Sequence, residues 1–397
     1  MPLLSSLLIL IVVARLFGQI FHRFNQPAIV GEMLAGMLLG PTALNLIHPN
    51  AALSGISELA VFLVVLSAGL EMNFKDIVGA LCSKGVVIAF LGFAMPLAAG
   101  ILVGIAFQLD VMRTVFLGLC VSITALPVAV RMLQVFNLLD SDIARYSVAT
   151  AIFNDVVALL ALGVILNLPA QPSLEAVAVS IIGTSWKLIA LGGFILGFNL
   201  SIGKMIKKGI RIQKISEKLV DLLGSEALFG ILVLFVLTFG SVSQALGFHF
   251  VIGAFFGALL IDRKFFLASR FHELEHTLRS VTEGFLAPVF FAYLGIEFDI
   301  STLKSFDFIA IVLAVSIGSK ILAGWLGGCS IRLTQAQSLG IGVILNGRGV
   351  MELVIASIAY EHGFIGQSLF STLILMGVVT TMITPFMFRK WVMPKLT

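Results

Sequence analysis

The sequence predicts an all-α polytopic membrane protein with about thirteen transmembrane helices. Of its 397 residues, 59% are hydrophobic and only 12% are charged, and the mean hydropathy is +1.10. Charged residues make up roughly a quarter of ordinary soluble domains, so this chain has too few to cover a soluble fold of its size. The composition therefore excludes a soluble enzyme, a nucleic-acid-binding protein and a disordered scaffold.

The apolar stretches are long enough to be helices that cross a bilayer, which takes about 20 mostly apolar residues. Alternation with a period of two residues is absent, which disfavours membrane strands. The predicted spans lie at about 2–21, 28–46, 53–72, 85–107, 114–135, 144–168, 175–203, 224–244, 248–262, 282–297, 305–328, 337–359 and 366–388.

Basic residues indicate the orientation of these spans. Most of the 25 Lys and Arg residues fall in loops after odd-numbered spans or in the C-terminal tail, whereas the opposite loops carry only Arg113 and Lys304. Because basic loops stay in the cytoplasm, we expect the N-terminus outside and the C-terminus inside. The longest polar loop, at about 204–223, is too short to fold alone, so a single membrane domain is expected over 1–397.

Spans five and twelve are each interrupted near the middle. In span five, Pro127 lacks a backbone donor and disfavours helix at the preceding residue, while Ser122 and Thr124 can satisfy the freed backbone groups. In span twelve, Gly347 and a second glycine flank Arg348 and weaken the helix there. Ordinary Pro and Gly kinks are the alternative interpretation.

The two interrupted spans occupy matching places in the chain. If the helix at about 175–203 is a linker, two six-span repeats remain at about 2–168 and about 224–388, each with a broken fifth span. The two broken spans are seven positions apart in the order of spans, and this odd offset makes the repeats inverted. Inverted repeats with broken helices are typical of secondary transporters whose site lies at mid-membrane.

Span six carries Asn154 and Asp155 about midway along its length. A carboxylate at that depth is costly and requires a partner, water or a function. We predict a proton or cation site in which Asp155 supplies the charge. Neutral oxygens would come from Asn154, Thr124 and Ser122 and from the opened backbone. A carboxylate that holds either H⁺ or a cation couples the two fluxes, whereas a structural ion pair is the alternative role.

Other charged side chains also fall within spans. Lys320, among small residues in span eleven, is the candidate charge-compensating partner of Asp155, with extension to the membrane interface as the alternative. Arg348 keeps its proton and would brace the broken helix or pair with Glu32 or Glu352. Structural roles at the breaks are expected for Pro127, Asn346, Gly347, Arg348, Glu352 and Glu32.

Six stretches carry a resemblance that covers essentially the whole chain in order. They are Gln26–Pro41, Leu66–Glu71, Thr124–Arg131, Phe153–Asp155, Pro288–Glu297 and Asn346–Leu353. In them the chain resembles the monovalent cation:proton antiporter superfamily, nearest its second branch, which includes Kef-type potassium/proton systems and Na⁺/H⁺ antiporters. The resemblance implies a homodimer whose protomers each have a dimerisation domain and a core domain with crossed broken helices. The core would move like an elevator to give alternating access.

The resemblance also implies roles for individual residues. Asp155 matches the family's essential ion-binding aspartate, and Asn154 matches a residue that is Asp in many electrogenic members, Asn in many electroneutral ones and Gln in Kef-type ones. Lys320 matches a basic residue that is Lys in several electrogenic members and Arg in others. The stoichiometry therefore stays open, with Asn154 favouring electroneutral exchange.

The expected function is exchange of Na⁺, with K⁺ or Li⁺ as alternatives, for H⁺ across the cell membrane in pH homeostasis. No cofactor is expected beyond the transported ions. A Kef-type potassium efflux system and a gated cation channel are the alternatives. Kef-type proteins usually carry a cytosolic nucleotide-binding regulatory domain. Because this chain ends shortly after the last span, we expect that domain to be missing or to be supplied by a separate partner.

The segment His272–His276 matches the HExxH pattern of zinc metalloproteases. It lies in a charged, amphipathic stretch at 263–281 and no third ligand follows nearby, so a membrane-embedded metalloprotease and a transition-metal site are disfavoured. A weaker hypothesis is that His272 and His276 titrate near neutrality and sense the cytosolic pH.

Overall fold

The computed structural model describes residues 2–24, 26–71, 85–167, 174–207, 213, 217, 224 and 226–396. Within these ranges the chain is helical and contains no strand. Eight of the described helices are long and apolar enough to cross a membrane. The predicted class, an all-α polytopic membrane protein, is therefore confirmed, while the count of about thirteen spans stays a prediction.

The helices follow the predicted spans closely. In chain order they are α1 (Leu3–Arg23), α2 (Ala28–Leu39), α3 (Ala51–Glu71), α4 (Gly85–Ala106), α5 (Val111–Ser122), α6 (Leu126–Val135), α7 (Asp142–Ile165), α8 (Leu174–Lys207), α9 (Glu226–Ala245), α10 (Phe250–Leu259), α11 (Ala268–Val281), α12 (Ala287–Glu297), α13 (Phe306–Ser330), α14 (Gln335–Ile344), α15 (Val350–Glu361), α16 (Gln367–Met387) and α17 (Met393–Leu396).

Span two is shorter than predicted. The expected helix at about 28–46 ends at Leu39, because Gly40 adopts an extended conformation with ψ −176° and Pro41 cannot continue a helix. Within α2, an added Cβ on Gly36 would overlap the Ala292 carbonyl oxygen at 1.9 Å. The missing side chain thus lets α2 pack directly against the backbone of α12.

The chain forms two compact units. The first comprises Met1–Glu58, Asp76–Ala158 and Pro288–Thr397, and the second comprises Leu59–Lys75 and Leu159–Ala287. The second unit contains a cluster of tilted and edge-on rings from Phe194, Phe198, Phe235 and Phe239. Every residue predicted to belong to the ion site lies in the first unit.

Within the first unit, α4 packs on α5 as α13 packs on α14. A Cβ added to Gly100 would lie 2.7 Å from Gly118 Cα, and one added to Gly324 would lie 2.3 Å from Gly342 Cα. Both helix pairs therefore cross at glycine, where the backbones approach closely. Gly324 follows Gly100 in the sequence by the same number of residues as Gly342 follows Gly118.

The turns that enter these half-helices recur at the same separation. Asp110 caps α5 and Thr334 caps α14, each by accepting a hydrogen bond from the backbone N–H three residues on. Just before each cap stands a residue with positive φ, Gln108 at 55° and Arg332 at 67°. This recurrence is what two related halves would produce, and their inverted insertion stays a prediction.

Candidate functional site

The first break separates α5 from α6. Ile123 and Ala125 are extended, with ψ values of 148° and 119°, and Pro127 is the second residue of α6. A proline is well suited to the first turn of a helix, because no N–H is needed there. The break covers 123–125, so Leu126, the residue at which Pro127 was expected to disfavour helix, is instead the first residue of α6.

The second break, between α14 and α15, contains Asn346, Gly347 and Arg348. Asn346 Nδ2 donates to Gly342 O at 3.0 Å, so the side chain satisfies one of the last carbonyls of α14. A Cβ on Gly347 would lie 2.9 Å from the side chain of Val128 on α6. Asn346 Oδ1 is buried without a hydrogen-bond partner.

The two breaks are hydrogen-bonded to each other. Thr124 Oγ1 donates to Leu345 O at 2.9 Å, and Ala125 N donates to Gly347 O at 2.8 Å. Residues far apart in sequence are therefore hydrogen-bonded to each other at the two helix interruptions. The opened backbone groups are satisfied across the pair, as apolar surroundings require.

The Arg348 side chain lies against the C-terminal end of α5. Its Nη2 donates to Val121 O at 2.8 Å, and its Nη1 donates to Ile123 O at 3.0 Å and to Cys120 O. The last carbonyls of a helix lack internal partners and carry partial negative charge, so a planar cation with several donors is stabilised there. Sequence reasoning missed these partners, because backbone carbonyls have no sequence signature.

The predicted carboxylate partners of Arg348 are placed differently. Glu352 Oε2 lies 3.6 Å from Arg348 Nη1, and both side chains are almost fully buried. Glu32 packs against α1, where its Oε1 would be 3.1 Å from a Cβ on Gly18. Of the two candidates, the structure brings Glu352 to the break and places Glu32 beside α1.

Lys320 reaches the first break from α13. Its Nζ donates to Thr124 Oγ1 at 2.8 Å, to Gly92 O at 3.0 Å and to Ser122 O. The side chain is 0% exposed, so it does not extend to the membrane interface. Lys320 interacts electrostatically with Asp155, while its three donors are used by α4 and the break.

Pro96 explains why Gly92 O is available to Lys320. In a regular helix this carbonyl would accept from the N–H of residue 96, but proline has none. Lys320 Nζ takes that place at 3.0 Å. A proline inside an apolar span was therefore a sequence signal for a polar partner, and sequence reasoning did not use it.

Asn154 and Asp155 face the same break from α7. Asn154 Nδ2 donates to Ser122 O and to Thr124 Oγ1, both at 3.3 Å. Asn154 Oδ1 and Asp155 Oδ1 are buried and accept no hydrogen bond. These two oxygens, next to the ammonium of Lys320, can bind a proton or a hard cation.

Ser122 differs from its predicted role in one respect. Its hydroxyl donates to Leu119 O at 2.7 Å within α5, so the hydroxyl is already used. Its carbonyl, which accepts from Lys320 and Asn154, is the group that faces the site. The Ser122 side chain thus satisfies a backbone carbonyl, as expected for the broken helix, and the oxygen that Ser122 offers to the site is its own carbonyl.

The HExxH segment lies elsewhere. His272 and His276 are exposed on α11, in the second unit. Among the described residues, no group of three or more His, Cys, Asp and Glu side chains could hold a metal ion.

Comparison with known proteins shows the family of the chain. The profile of the family described as "Sodium/hydrogen exchanger, transmembrane" matches residues 8–393. A Na⁺/H⁺ antiporter of Enterococcus hirae is 26% identical over 386 residues, which cover 97% of each protein. The Na⁺/H⁺-K⁺ antiporter GerN of Bacillus cereus is 24% identical over 377 residues, which cover 94% of this chain and 92% of GerN.

Solved structures also have a similar fold. The sodium proton antiporter MjNhaP1 from Methanocaldococcus jannaschii matches with a TM-score of 0.72 and 18% sequence identity, over 98% of this chain and 96% of that one. At that identity the likeness shows a shared fold alone.

Proposed function

Since the chain belongs to the transmembrane sodium/hydrogen exchanger family, we propose that it is a secondary antiporter that exchanges a monovalent cation for H⁺. Na⁺ is the proposed cation, with K⁺ or Li⁺ as alternatives. Asp155 binds either H⁺ or the cation, and each displaces the other. This competition couples the movement of the two ions in opposite directions.

The observation that carries the proposal is the pair of unpartnered buried oxygens, Asn154 Oδ1 and Asp155 Oδ1, beside the first break. A small cation prefers oxygen ligands, and a carboxylate adds the charge that offsets its dehydration. Thr124 Oγ1 and the Ser122 carbonyl are within the same hydrogen-bonded group, although Lys320 now donates to both. We propose that the entering cation takes over these oxygens as Lys320 withdraws.

An elevator-type movement is the proposed route to alternating access. The bonds from Thr124 Oγ1 to Leu345 O and from Ala125 N to Gly347 O join the two breaks, so both would move as one body. The recurring glycine crossings and helix caps support the two-repeat architecture on which such a movement depends. A homodimer in the cell membrane, with the N-terminus outside and the C-terminus cytoplasmic, completes the proposal.

Transport by the purified protein in liposomes tests this function. The liposomes contain a pH-sensitive dye and start with a preset pH gradient. Wild-type protein should dissipate this gradient when Na⁺, K⁺ or Li⁺ is added. Asp155→Asn should abolish the response to every cation, because the amide can neither hold a proton nor supply charge. Asp142→Asn, an exposed carboxylate on the same helix, should leave exchange unchanged.

Three outcomes separate the alternatives. Retained exchange in Asp155→Asn would overturn the proposal. A response to K⁺ but not Na⁺ would favour a potassium efflux system. K⁺ is included in the test because the similar protein GerN is named as a Na⁺/H⁺-K⁺ antiporter. Cation conductance without coupled H⁺ movement would indicate a channel.

A further inference from the structure

Gln367 joins the C-terminal ends of α12 and α15. Its Nε2 donates to the carbonyl oxygen of Glu297, the last residue of α12, and its Oε1 accepts from the hydroxyl of Tyr360, near the end of α15. The Tyr360 ring also stacks on Phe370 in the first turn of α16, with the ring centroids 4.5 Å apart. Both ends of the Gln367 amide are therefore used to connect the two helices.

Two further hydrogen bonds connect the segment after α12 to α16. Asp299 N donates to Ser371 Oγ at 3.0 Å, and Ser368 Oγ donates to Thr302 O at 3.1 Å. Because Ser368 is exposed, protons from the solvent can reach this edge of the contact. We name these contacts the end latch, formed by the side chains of Tyr360, Gln367, Ser368 and Ser371 and by the backbone of 297–302.

The end latch connects two separately packed parts of the first unit. α12 packs with α1 and α2 in a cluster of buried apolar residues that includes Leu10, Ala292 and Tyr293. α15 and α16 are instead attached to the second break, since Thr381 Oγ1 on α16 accepts from Arg348 N and donates to Arg348 O, both at 3.1 Å. The proposed movement of the two breaks would therefore require the end latch to open.

The carboxyl group of Glu297 lies at the end latch. Its Oε2 is buried without a hydrogen-bond partner, and the hydroxyl of Tyr293, which is also hydrogen-bonded to Ser54 of α3, donates to the same carboxyl group. Glu361, the last residue of α15, interacts with it electrostatically. A buried oxygen without a donor and a negative charge nearby both favour the neutral acid of Glu297.

Other titratable groups near the end latch act on these two carboxyl groups. Glu58 of α3 adds negative charge beside Glu361, whereas His362 offsets the charge of Glu361 when it is protonated. Around Glu297, the group that faces it from α15 besides Glu361 is Tyr360, which Asp299 also affects. Carboxyl groups from α3, α12 and α15 thus approach each other, and their mutual repulsion opposes the ionisation of all three at once.

We infer that the end latch is a pH-sensitive gate, which is closed while Glu297 is neutral and opens when Glu297 ionises beside Glu361. The inference rests on the proposed function, because it assigns the end latch a role in the proposed movement. On ionisation the O–H bond of Glu297 breaks and its proton passes to water at the exposed edge. The two carboxylates then repel each other and separate the ends of α12 and α15. Since the closed end latch favours the neutral acid, it is stable at acid pH and loses stability as the pH rises.

Cysteine labelling tests the inference without a measurement of transport. In a chain whose three native cysteines are replaced by alanine, Ser371→Cys places a thiol in the end latch at a position that is 0% exposed. Ser305→Cys places a reference thiol at an exposed position. The rate of reaction with a membrane-impermeant maleimide is divided by the reference rate at the same pH. This ratio should rise by roughly tenfold from acid to alkaline pH, the factor for one pK unit of coupling between ionisation and opening.

Variants of Glu297 separate its ionisation from a purely structural role. Glu297→Gln, which is neutral at every pH, should keep the ratio at its acid value, whereas Glu297→Asp, which retains a carboxyl group, should still show a rise. Asp307→Asn, an exposed carboxylate in the first turn of α13, is the matched control and should show the full rise. A rise in Glu297→Gln equal to that of the wild type, or a ratio that changes equally at all pH values, would overturn the inference.

A transport measurement distinguishes this inference from the proposed function. Exchange is measured in liposomes with the pH varied only on the side of the end latch. Glu297→Gln should exchange several times more slowly than the wild type at alkaline pH and at the same rate at acid pH. Equal rates at every pH would overturn the gate and leave exchange at Asp155 intact. Absence of exchange in the wild type would instead overturn the proposed function, and the labelling ratios would still show whether the end latch opens with pH.

Discussion

Lys320 Nζ donates a hydrogen bond of 2.8 Å to Thr124 Oγ1, inside the first helix break. The same oxygen accepts from Asn154 Nδ2 at 3.3 Å and donates to the second break. The Lys320 ammonium group thus donates to the same oxygens that would bind the cation in the proposed mechanism. Because two positive charges cannot share these oxygens at low dielectric, the lysine and the cation should exclude each other.

Lys320→Met should shift the pH profile of exchange upward by at least about one pH unit. Without the ammonium, H⁺ is held more strongly at Asp155, so a cation displaces it only at lower H⁺ concentration. Lys320→Arg, which keeps the charge, should stay close to the wild-type profile. The measurement is Na⁺-dependent H⁺ release from proteoliposomes between acid and alkaline pH. A downward shift, or equal profiles for Met and Arg, would contradict this role of Lys320.

Arg348→Met should destabilise the protein by about 3–5 kcal/mol, because it leaves the carbonyls at the end of α5 and the carboxylate of Glu352 buried without a cation. Arg348→Lys should lose less, since an ammonium group can replace the charge but not the planar set of donors. The measurement is thermal unfolding in detergent.

The double variant Arg348→Met with Glu352→Gln distinguishes the two contributions. It should recover part of the loss, because no buried carboxylate then lacks its partner. Additive losses in the double variant would show that Arg348 stabilises only the backbone carbonyls.

Gly324→Ala should impair transport, since its Cβ would lie 2.3 Å from Gly342 Cα and would push α13 away from α14. Gly324 stands one helical turn after Lys320, so the displacement should also move the ammonium from the break. Gly318→Ala is the matched control on the same helix, because its Cβ would meet nothing within 4 Å. Rate and thermal stability are compared for both variants. Equal transport rates and equal thermal stabilities for the two variants would contradict the packing argument.

The sequence predicted the helices and the breaks because their causes are local. Pro127 has no N–H to donate to Ile123 O, as a continuous helix would require, and the apolar runs are long enough to span a bilayer. The sequence also identified Asp155 as a candidate site residue, since a charge at membrane depth requires a partner, water or a function.

The partners within the site could not be predicted in the same way. Arg348 was predicted to brace the broken helix or to pair with Glu32 or Glu352; it lies 3.6 Å from Glu352, but its closest contacts are backbone carbonyls of α5. Lys320 was predicted to compensate the charge of Asp155, with which it interacts electrostatically, but its hydrogen bonds to Gly92 O, Thr124 Oγ1 and Ser122 O were not predicted. Such contacts depend on where two broken helices meet, which side-chain chemistry alone does not specify.

A transported cation should stabilise the wild-type protein against heat, because it binds the folded site and not the unfolded chain. At a concentration one hundred times its dissociation constant, the gain is about 2.7 kcal/mol. The gain should shrink at acid pH, where H⁺ occupies Asp155, and should be absent in Asp155→Asn at any pH. Unfolding is followed with Na⁺, K⁺, Li⁺ and choline at equal ionic strength, so that screening is constant. The cation with the largest gain over choline is the one to test first in transport. Stabilisation of Asp155→Asn equal to that of the wild type would place the cation away from α7, even if exchange itself were observed.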